Sequence, residues 1–383
     1  MSVFSALIDQ GETVAVLERA VGASRDSTDE SQDMTHAWLF TGPPGSGRSN
    51  AALAFAAALV CRAGGCGDCV DCRTALSGSH ADVELIQTEG LSIKIDEIRE
   101  LITRAAWTPS VATYRVVVME DADRLTESAA NALLKAIEEP STRTIWLLCA
   151  PTVSDVLPTI RSRTRNLTLR TPSASAVSLL LQGEGISTNL ANFAASASQG
   201  HIGRARYLAR DQAARDIRND ILKLPTTIVD LASAFAAAAK LVDAAKSQAE
   251  SDAEKKNDAE LVALKEAWGQ QGTKVVAGGA KAVKELEKEQ KSRQTRMVRD
   301  YLDRALLDIA TLYRDILMVQ SGASGGAAEL INTDIPDVIN GLVAKSTAEQ
   351  TLAKLETIMK TRAQLLHNAA PLLVIEAMMV QLR

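Results

Sequence analysis

Along the first 150 residues the apolar positions fall into short unbroken runs separated by stretches with helical spacing. Trp38-Leu39-Phe40-Thr41, Asp82-Val83-Glu84-Leu85-Ile86, Tyr114 to Met119 and Thr144 to Cys149 read as strands. Runs with so little polar alternation belong in a parallel sheet covered on both faces. Val3, Leu7, Val14, Val16, Leu17 and Val21 predict helical turns ahead of the first strand. Ala51–Val60, Ile95–Ala106 and Glu127–Glu138 predict helices between strands, the last stopping at Pro140. Strand and helix in alternation place an α/β domain over residues 1–170.

Pro172 marks a boundary, and Ala174–Leu208 reads as all helix, which sets a small helical domain at 171–215. From 216 to 383 the pattern is helical throughout. Val298–Val319 and Thr347–Leu382 carry an apolar stripe, whereas 246–291 is rich in Lys, Glu, Gln and Ala, with Gly272 and Gly278-Gly279 as interruptions. That stretch is a charged helical insertion whose alternating acids and bases fit a solvated face rather than a DNA-binding patch. Arg25 to Asp33 is a polar loop. The fold class is therefore α/β plus all-α.

Composition narrows the function. A net charge of −5, from 42 basic and 47 acidic residues, excludes a polycation that grips nucleic acid by itself, so DNA contact would come through other chains. No run of eighteen apolar residues occurs, and the opening MSVFSALIDQGE lacks the basic-then-apolar order of a secretion signal. The expectation is a cytoplasmic protein with no membrane partner. Aromatic residues are only 3% of the chain, so Ala and Leu must fill most of its helical cores.

Two clusters carry chemistry. In the stretch HAWLFTGPPGSGRSN, a strand runs into a glycine-rich turn and then into a helix, the context of a phosphate-binding loop. Gly42, Gly45, Gly47 and Ser49 fit it, but Arg48 stands where the pattern has Lys. A guanidinium keeps the charge yet is planar and bulkier than the ammonium that sits between phosphates. Passive binding of ATP or ADP stays open on the sequence; hydrolysis does not follow from it. Farther on, Cys61, Cys66, Cys69 and Cys72 have the spacing C-x4-C-x2-C-x2-C. Thiolates so spaced can close a tetrahedron around a structural Zn²⁺, with a reduced metal-free cluster and an iron–sulfur cluster as alternatives. Cys149, alone on an apolar strand, reads as core.

The GPPGSGRS loop, the four cysteines after its helix, the segment EDADRLTESAANALLKAIEEP and Ser162-Arg163-Thr164, in this order, resemble the delta-prime and gamma/tau subunits of the bacterial DNA polymerase III clamp loader, which are AAA+ proteins. The resemblance is densest from Val3 to Leu208. It implies a RecA-like AAA+ domain with a zinc module, a helical lid and a C-terminal helical collar. It also implies a hetero-pentamer with gamma/tau and delta subunits that loads a sliding clamp on primer-template DNA.

By the same resemblance Glu120 and Asp121 stand where the motor subunits carry Asp then Glu, an inversion that misplaces both carboxylates for Mg²⁺ and water. Ala150 replaces a sensor Thr, and in Gly200-His201-Ile202-Gly203 the sensor arginine comes one position late, as Arg204. Asp9 precedes Gln10 where the family usually has Gly. Arg163 matches an arginine finger offered in trans to the ATP of an adjacent motor subunit, with Arg161 and Arg165 close enough to share the role. These departures point to a non-hydrolysing stator of the delta-prime type. The rival readings are an active gamma/tau-type ATPase that tolerates Arg48, and an unrelated AAA+ remodeller that assembles as a homohexamer.

Overall fold

In a computed structural model of the chain, the described residues are 2–26, 33–88, 90–267, 279–322 and 330–383. Most of the polar loop expected at 25–33, with Gly272 and Gly278 of the insertion, lies outside them. Contacts divide the chain into two compact units, Met1–Ala209 and Arg210–Arg383.

The first unit holds a five-stranded, all-parallel sheet. Its strands are β1 (Ala37–Thr41), β2 (Val83–Ile86), β3 (Arg115–Met119), β4 (Thr144–Ala150) and β5 (Arg165–Thr168), in the order β2-β3-β4-β1-β5. Around them stand α1 (Gly11–Ala23), α2 (Arg48–Val60), α3 (Val70–Leu76), α4 (Ile95–Ala105), α5 (Glu127–Glu138) and the short α6 (Pro158–Arg161). The two-residue period of the strands divides the apolar side chains between two cores. Trp38, Phe40, Val116, Val118, Ile145 and Leu147 meet Leu17 of α1 and Phe55 of α2. Leu39, Val117, Met119, Trp146 and Leu148 meet Ile98 and Leu101 of α4 and Leu133 and Ile137 of α5. All of these are buried, and each large side chain so removed from water contributes roughly 1.5–3 kcal/mol. This is the expected α/β domain with a parallel sheet covered on both faces, and β1 at the sheet's interior delivers the glycine loop to the N-terminus of α2.

Strand β5 is absent from the sequence reading. Its residues RNLT bury only Leu167, and an edge strand with one inward apolar side chain leaves no hydrophobic run to detect. It pairs with β1 through registers such as Trp38 opposite Arg165. After it, α7 (Ala174–Gly183), α8 (Thr188–Ser198) and α9 (Ile202–Arg210) form the all-helical stretch expected beyond Pro172.

The second unit is helical. It comprises α10 (Gln212–Lys223), α11 (Leu231–Ala267), α12 (Gly279–Gln320), α13 (Pro336–Val343), α14 (Ala348–Leu366) and α15 (Pro371–Leu382). Leu302, Leu306, Ile309, Tyr313 and Ile316 line one side of α12 and pack on Ala238 and Leu241 of α11, Ile358 of α14 and Met379 of α15. The charged stretch is the antiparallel pairing of the far ends of α11 and α12. There the Arg293 guanidinium holds Glu260 and Asn257, and Gln290 donates to the Asn257 carbonyl at 3.0 Å. The apolar stripe expected over Thr347–Leu382 lies on two helices, because Asn368 adopts a left-handed φ of 63° and Pro371 starts α15.

Candidate functional site

The glycine loop follows β1 directly. Gly45 and Gly47 have φ of 88° and 86°, a region open to glycine at no steric cost. Within the loop the Gly42 N–H is taken by the Pro151 carbonyl and the Ser46 N–H by the Pro43 carbonyl, both at 3.0–3.1 Å. Pro43 and Pro44 have no N–H to offer. Arg48, the first residue of α2, turns back instead of outward: its Nη1 donates to the Gly42 carbonyl at 2.5 Å. The half-buried guanidinium thus lies against the loop that the sequence assigns to phosphate. Ser49 follows in the first turn of α2.

The loop is also covered by the residue that precedes α9. A Cβ placed on Gly45 would stand 2.5 Å from both Cα and Cβ of His201, so the histidine packs directly on the loop backbone. His201 Nδ1 accepts the Arg204 main-chain N–H at 3.2 Å, which anchors the ring at the start of α9. In the sequence no motif marks His201 for this contact beyond its place in Gly200-His201-Ile202-Gly203. Nearby, Gln10 accounts for its buried amide by donating to the Arg170 carbonyl at 2.6 Å and accepting the Arg170 N–H at 3.2 Å. Asp9 has a φ of 57°, which explains why glycine suits this position. Its carboxylate accepts both the N–H and hydroxyl of Ser173, at 2.9 and 2.6 Å, and the hydroxyl bond first of all holds its pKa below the ordinary value.

Glu120 and Asp121 follow the end of β3, half-buried, and Asp121 faces Arg124 at 3.8 Å. Burial, and then the neighbouring Asp121, push the Asp123 carboxyl up. Cys149 is fully buried on β4, and burial raises its pKa in the combined field of Arg48, Glu120, Asp121 and Asp123. The structure therefore brings Arg48 and the acids together at the same end of the sheet, with the methyl of Ala150 in place of a hydroxyl at the end of β4.

The four cysteines converge. All their sulfurs lie within 4.8 Å of one another, and none is in a disulfide. Cys61 Sγ is 3.8 Å from Cys66 Sγ and 3.7 Å from Cys69 Sγ, so the short first spacer does not keep Cys61 out. Positive φ values of 74°, 101° and 84° at Gly64, Gly65 and Gly67 make the tight knuckle that permits this. Main-chain N–H groups of Ala63, Gly67 and Cys72 point at the sulfurs of Cys61, Cys72 and Cys69. Burial pushes the Cys61 thiol up, but hydrogen bonds from the backbone of Cys66, Gly65 and Ala63 bring it down to about 6; burial pushes Cys72 up. Such a set of sulfurs could hold a metal ion, whose charge would favour the thiolates.

Around β5 the three arginines separate by role. Arg165 stacks over Trp38 with its guanidinium carbon 4.9 Å from the ring and donates to the Asp33 carbonyl at 2.5 Å, so it serves the fold. Arg161 is half-buried at the end of α6. Arg163 is exposed, and its Nε meets Glu138 Oε1 at 2.6 Å.

Residues 23–173 match the family model described as DNA polymerase III, delta subunit. The delta-prime subunit of Bacillus subtilis is 32% identical over 198 residues, which are 51% of this chain and 60% of that protein. The delta-prime subunit of Pseudomonas aeruginosa is 37% identical over 147 residues, 37% of this chain and 45% of its own. This part of the chain is similar to the delta-prime subunits of DNA polymerase III. The gamma/tau subunit of Mycobacterium tuberculosis H37Rv is also similar, 33% identical over 172 residues, 44% of this chain and 28% of that one. The chain thus spans about half the length of the delta-prime relatives. Among solved structures, a gamma subunit-related protein of Thermotoga maritima aligns with 97% of this chain and 100% of its own at 15% identity, with a TM-score of 0.39, a likeness that adds nothing to the sheet order above. Among the described residues no helix is long and apolar enough to cross a membrane.

Proposed function

We propose that this chain is a delta-prime stator: a nucleotide-inert AAA+ subunit that offers Arg163 to ATP on a neighbouring gamma/tau subunit while its C-terminal helices hold a clamp-loader assembly together. The observation that carries this reading is Arg48, folded onto the Gly42 carbonyl at 2.5 Å where an incoming phosphate would need the loop open. His201 on Gly45, Ala150 without a hydroxyl and the inverted Glu120-Asp121 pair support it. Ala150 lacks and the inverted pair misplaces groups that a phosphoryl-transfer site uses to orient Mg²⁺, water or the γ-phosphate, while His201 occupies the loop face. Arg163 remains exposed, and a guanidinium arriving in trans can be worth about 10³ or more in rate by neutralising charge that develops on the phosphoryl group.

In this reading the partners are gamma/tau and delta subunits in a hetero-pentamer, and the sliding clamp and primer-template DNA are reached through the complex. The metal is Zn²⁺ held by Cys61, Cys66, Cys69 and Cys72, and it is structural, because four protein sulfurs leave no open position for substrate. The likeness to gamma/tau favours a second reading, an active motor. Titrating the isolated chain with ATP decides between them: the stator neither binds nor hydrolyses it, whereas turnover abolished by Arg48→Ala would establish the motor. Size-exclusion chromatography sets aside the homohexamer if the chain runs as a monomer alone and enlarges only with gamma/tau.

A further inference from the structure

The carboxylate of Glu138 stands against the guanidinium of Arg163, and its own helix gives no reason for it to be there. Glu138 is the last residue of α5, with Glu139 at the cap and Pro140 beyond. A negative charge at a helix C-terminus faces the negative end of the helix dipole, so two acids in succession there oppose the helix they end. Nor does the pair add much to folding: side chains of Arg163 and Glu138 are 41% and 45% exposed, and ion pairs that open to water contribute little.

The atoms that Glu138 engages are informative. Its Oε1 meets Nε of Arg163 at 2.6 Å. On the other side, Nη1 donates to the Thr159 carbonyl at 2.9 Å and to the Ser162 hydroxyl at 3.2 Å. The guanidinium is gripped on two of its three nitrogens, while Nη2 meets no partner among the described residues. An arginine side chain left to itself samples many rotamers, and holding it in one geometry before a ligand arrives removes that entropic cost from the encounter.

We infer that Glu138 is the positioning residue of the arginine finger. From the end of α5 it fixes the Arg163 guanidinium, with Thr159 and Ser162 of the α6 turn as the second support, and leaves Nη2 for an anionic phosphoryl group of the neighbouring subunit. This rests on the reading in which Arg163 serves a neighbour's ATP. Glu138 itself touches no nucleotide and acts only through Arg163. Because the function is geometric, a neutral acceptor of the same shape should serve nearly as well as the carboxylate.

The test uses the full chain assembled with gamma/tau subunits whose own fingers are replaced by alanine, so that only the site beside this chain turns over. Glu138→Ala should lower kcat for ATP about 5- to 20-fold, with KM changed less than about 2-fold. Glu138→Gln, which keeps an oxygen of the same reach against Nε, should return kcat to within about 2-fold of the parent. Thermal melting of the isolated chain should be the same for all three. Arg163→Ala should lower kcat further than Glu138→Ala does. A silent or accelerating Glu138→Ala beside a damaging Arg163→Ala would overturn the inference while leaving the finger in place. A Glu138→Gln as damaging as Glu138→Ala would overturn it as well, by assigning the effect to charge. A silent Arg163→Ala would remove the finger and the inference together.

Discussion

Metal analysis tests the four-cysteine site most sharply, because two of its sulfur separations can be set against the length of a zinc–thiolate bond. For a tetrahedron the edge is about 1.63 times the centre-to-corner distance, so the separations of Cys61 Sγ from Cys66 and Cys69 Sγ, 3.8 and 3.7 Å, match two edges of a zinc–thiolate tetrahedron with bonds of about 2.3 Å. X-ray absorption at the zinc edge should therefore show four sulfurs near 2.3 Å, with about one zinc per chain by elemental analysis. The knuckle also ties distant parts of the unit together. Gly65 accepts the Val3 N–H at 3.0 Å, and the Arg25 guanidinium donates to the Cys61 carbonyl at 2.8 Å, so loosening it releases the N-terminal turn and the end of α1. At free zinc about a thousandfold above the dissociation constant, binding stabilises by about 4 kcal/mol. For a unit of this size that corresponds to a melting temperature lowered by about 8–16 °C on chelation. Cys66→Ser should give most of that loss without chelator. Oxygen or nitrogen neighbours near 2.0 Å, less than about half an equivalent of zinc, or a melt indifferent to chelator would refute the assignment.

Asp82 is fully buried and accepts the N–H groups of Ser110, Val111 and Ala112 at 2.6–2.8 Å; burial pushes its carboxyl up, but these donors hold it below the ordinary range. Asp82→Asn should cost about 2–4 kcal/mol in urea unfolding at neutral pH. Because the folded carboxyl binds its proton later than the unfolded one, Asp82's contribution is complete above about pH 4 and fades below it; a variant equally sensitive to acid would contradict this. In the second unit, hydrogen bonding by Arg293 lowers Glu260 to about 2, so the far ends of α11 and α12 should lose protection from hydrogen exchange as pH falls from about 4.5 toward 2. Arg293→Ala should cost about 1–2 kcal/mol there above that window, a figure discounted for the partial exposure of Glu260. Arg165→Ala should cost about 1–2 kcal/mol of stability through Trp38 and Asp33 and leave the neighbour's ATPase rate unchanged, which an equal fall for Arg165→Ala and Arg163→Ala would disprove.

Much of the first unit was legible because its interior strands are covered on both faces and so must be apolar without a break, as Val116 to Met119 shows. β5 was hidden for the converse reason, since backbone pairing with β1 asks little of the side chains in RNLT. The cysteines announced themselves by spacing alone, four thiols in twelve residues; α3, which carries Cys72, did not, being only seven residues long. At the loop, the replacement of Lys by Arg48 was visible in sequence but its direction was not, because the same guanidinium could have pointed toward a phosphate or back to Gly42. His201 on Gly45 and Glu138 on Arg163 join residues more than twenty positions apart, and such meetings depend on how α5, α6 and α9 settle against the sheet. In the second unit the break at Asn368 and Pro371 carried an ordinary helix-stop signal, which the strength of the apolar stripe on both sides obscured.

The claim on which the rest depends is that this chain holds no nucleotide of its own and lends Arg163 to the one next door. A structure of the chain assembled with gamma/tau and a slowly hydrolysed ATP analogue tests both halves at once. The expected result is Arg163 Nη2 within about 3 Å of a phosphoryl oxygen of the neighbouring analogue, with Arg48 still on the Gly42 carbonyl and the loop free of nucleotide. Analogue bound in the loop at Gly42 to Ser49, or Arg163 in solvent away from any phosphate, would contradict it.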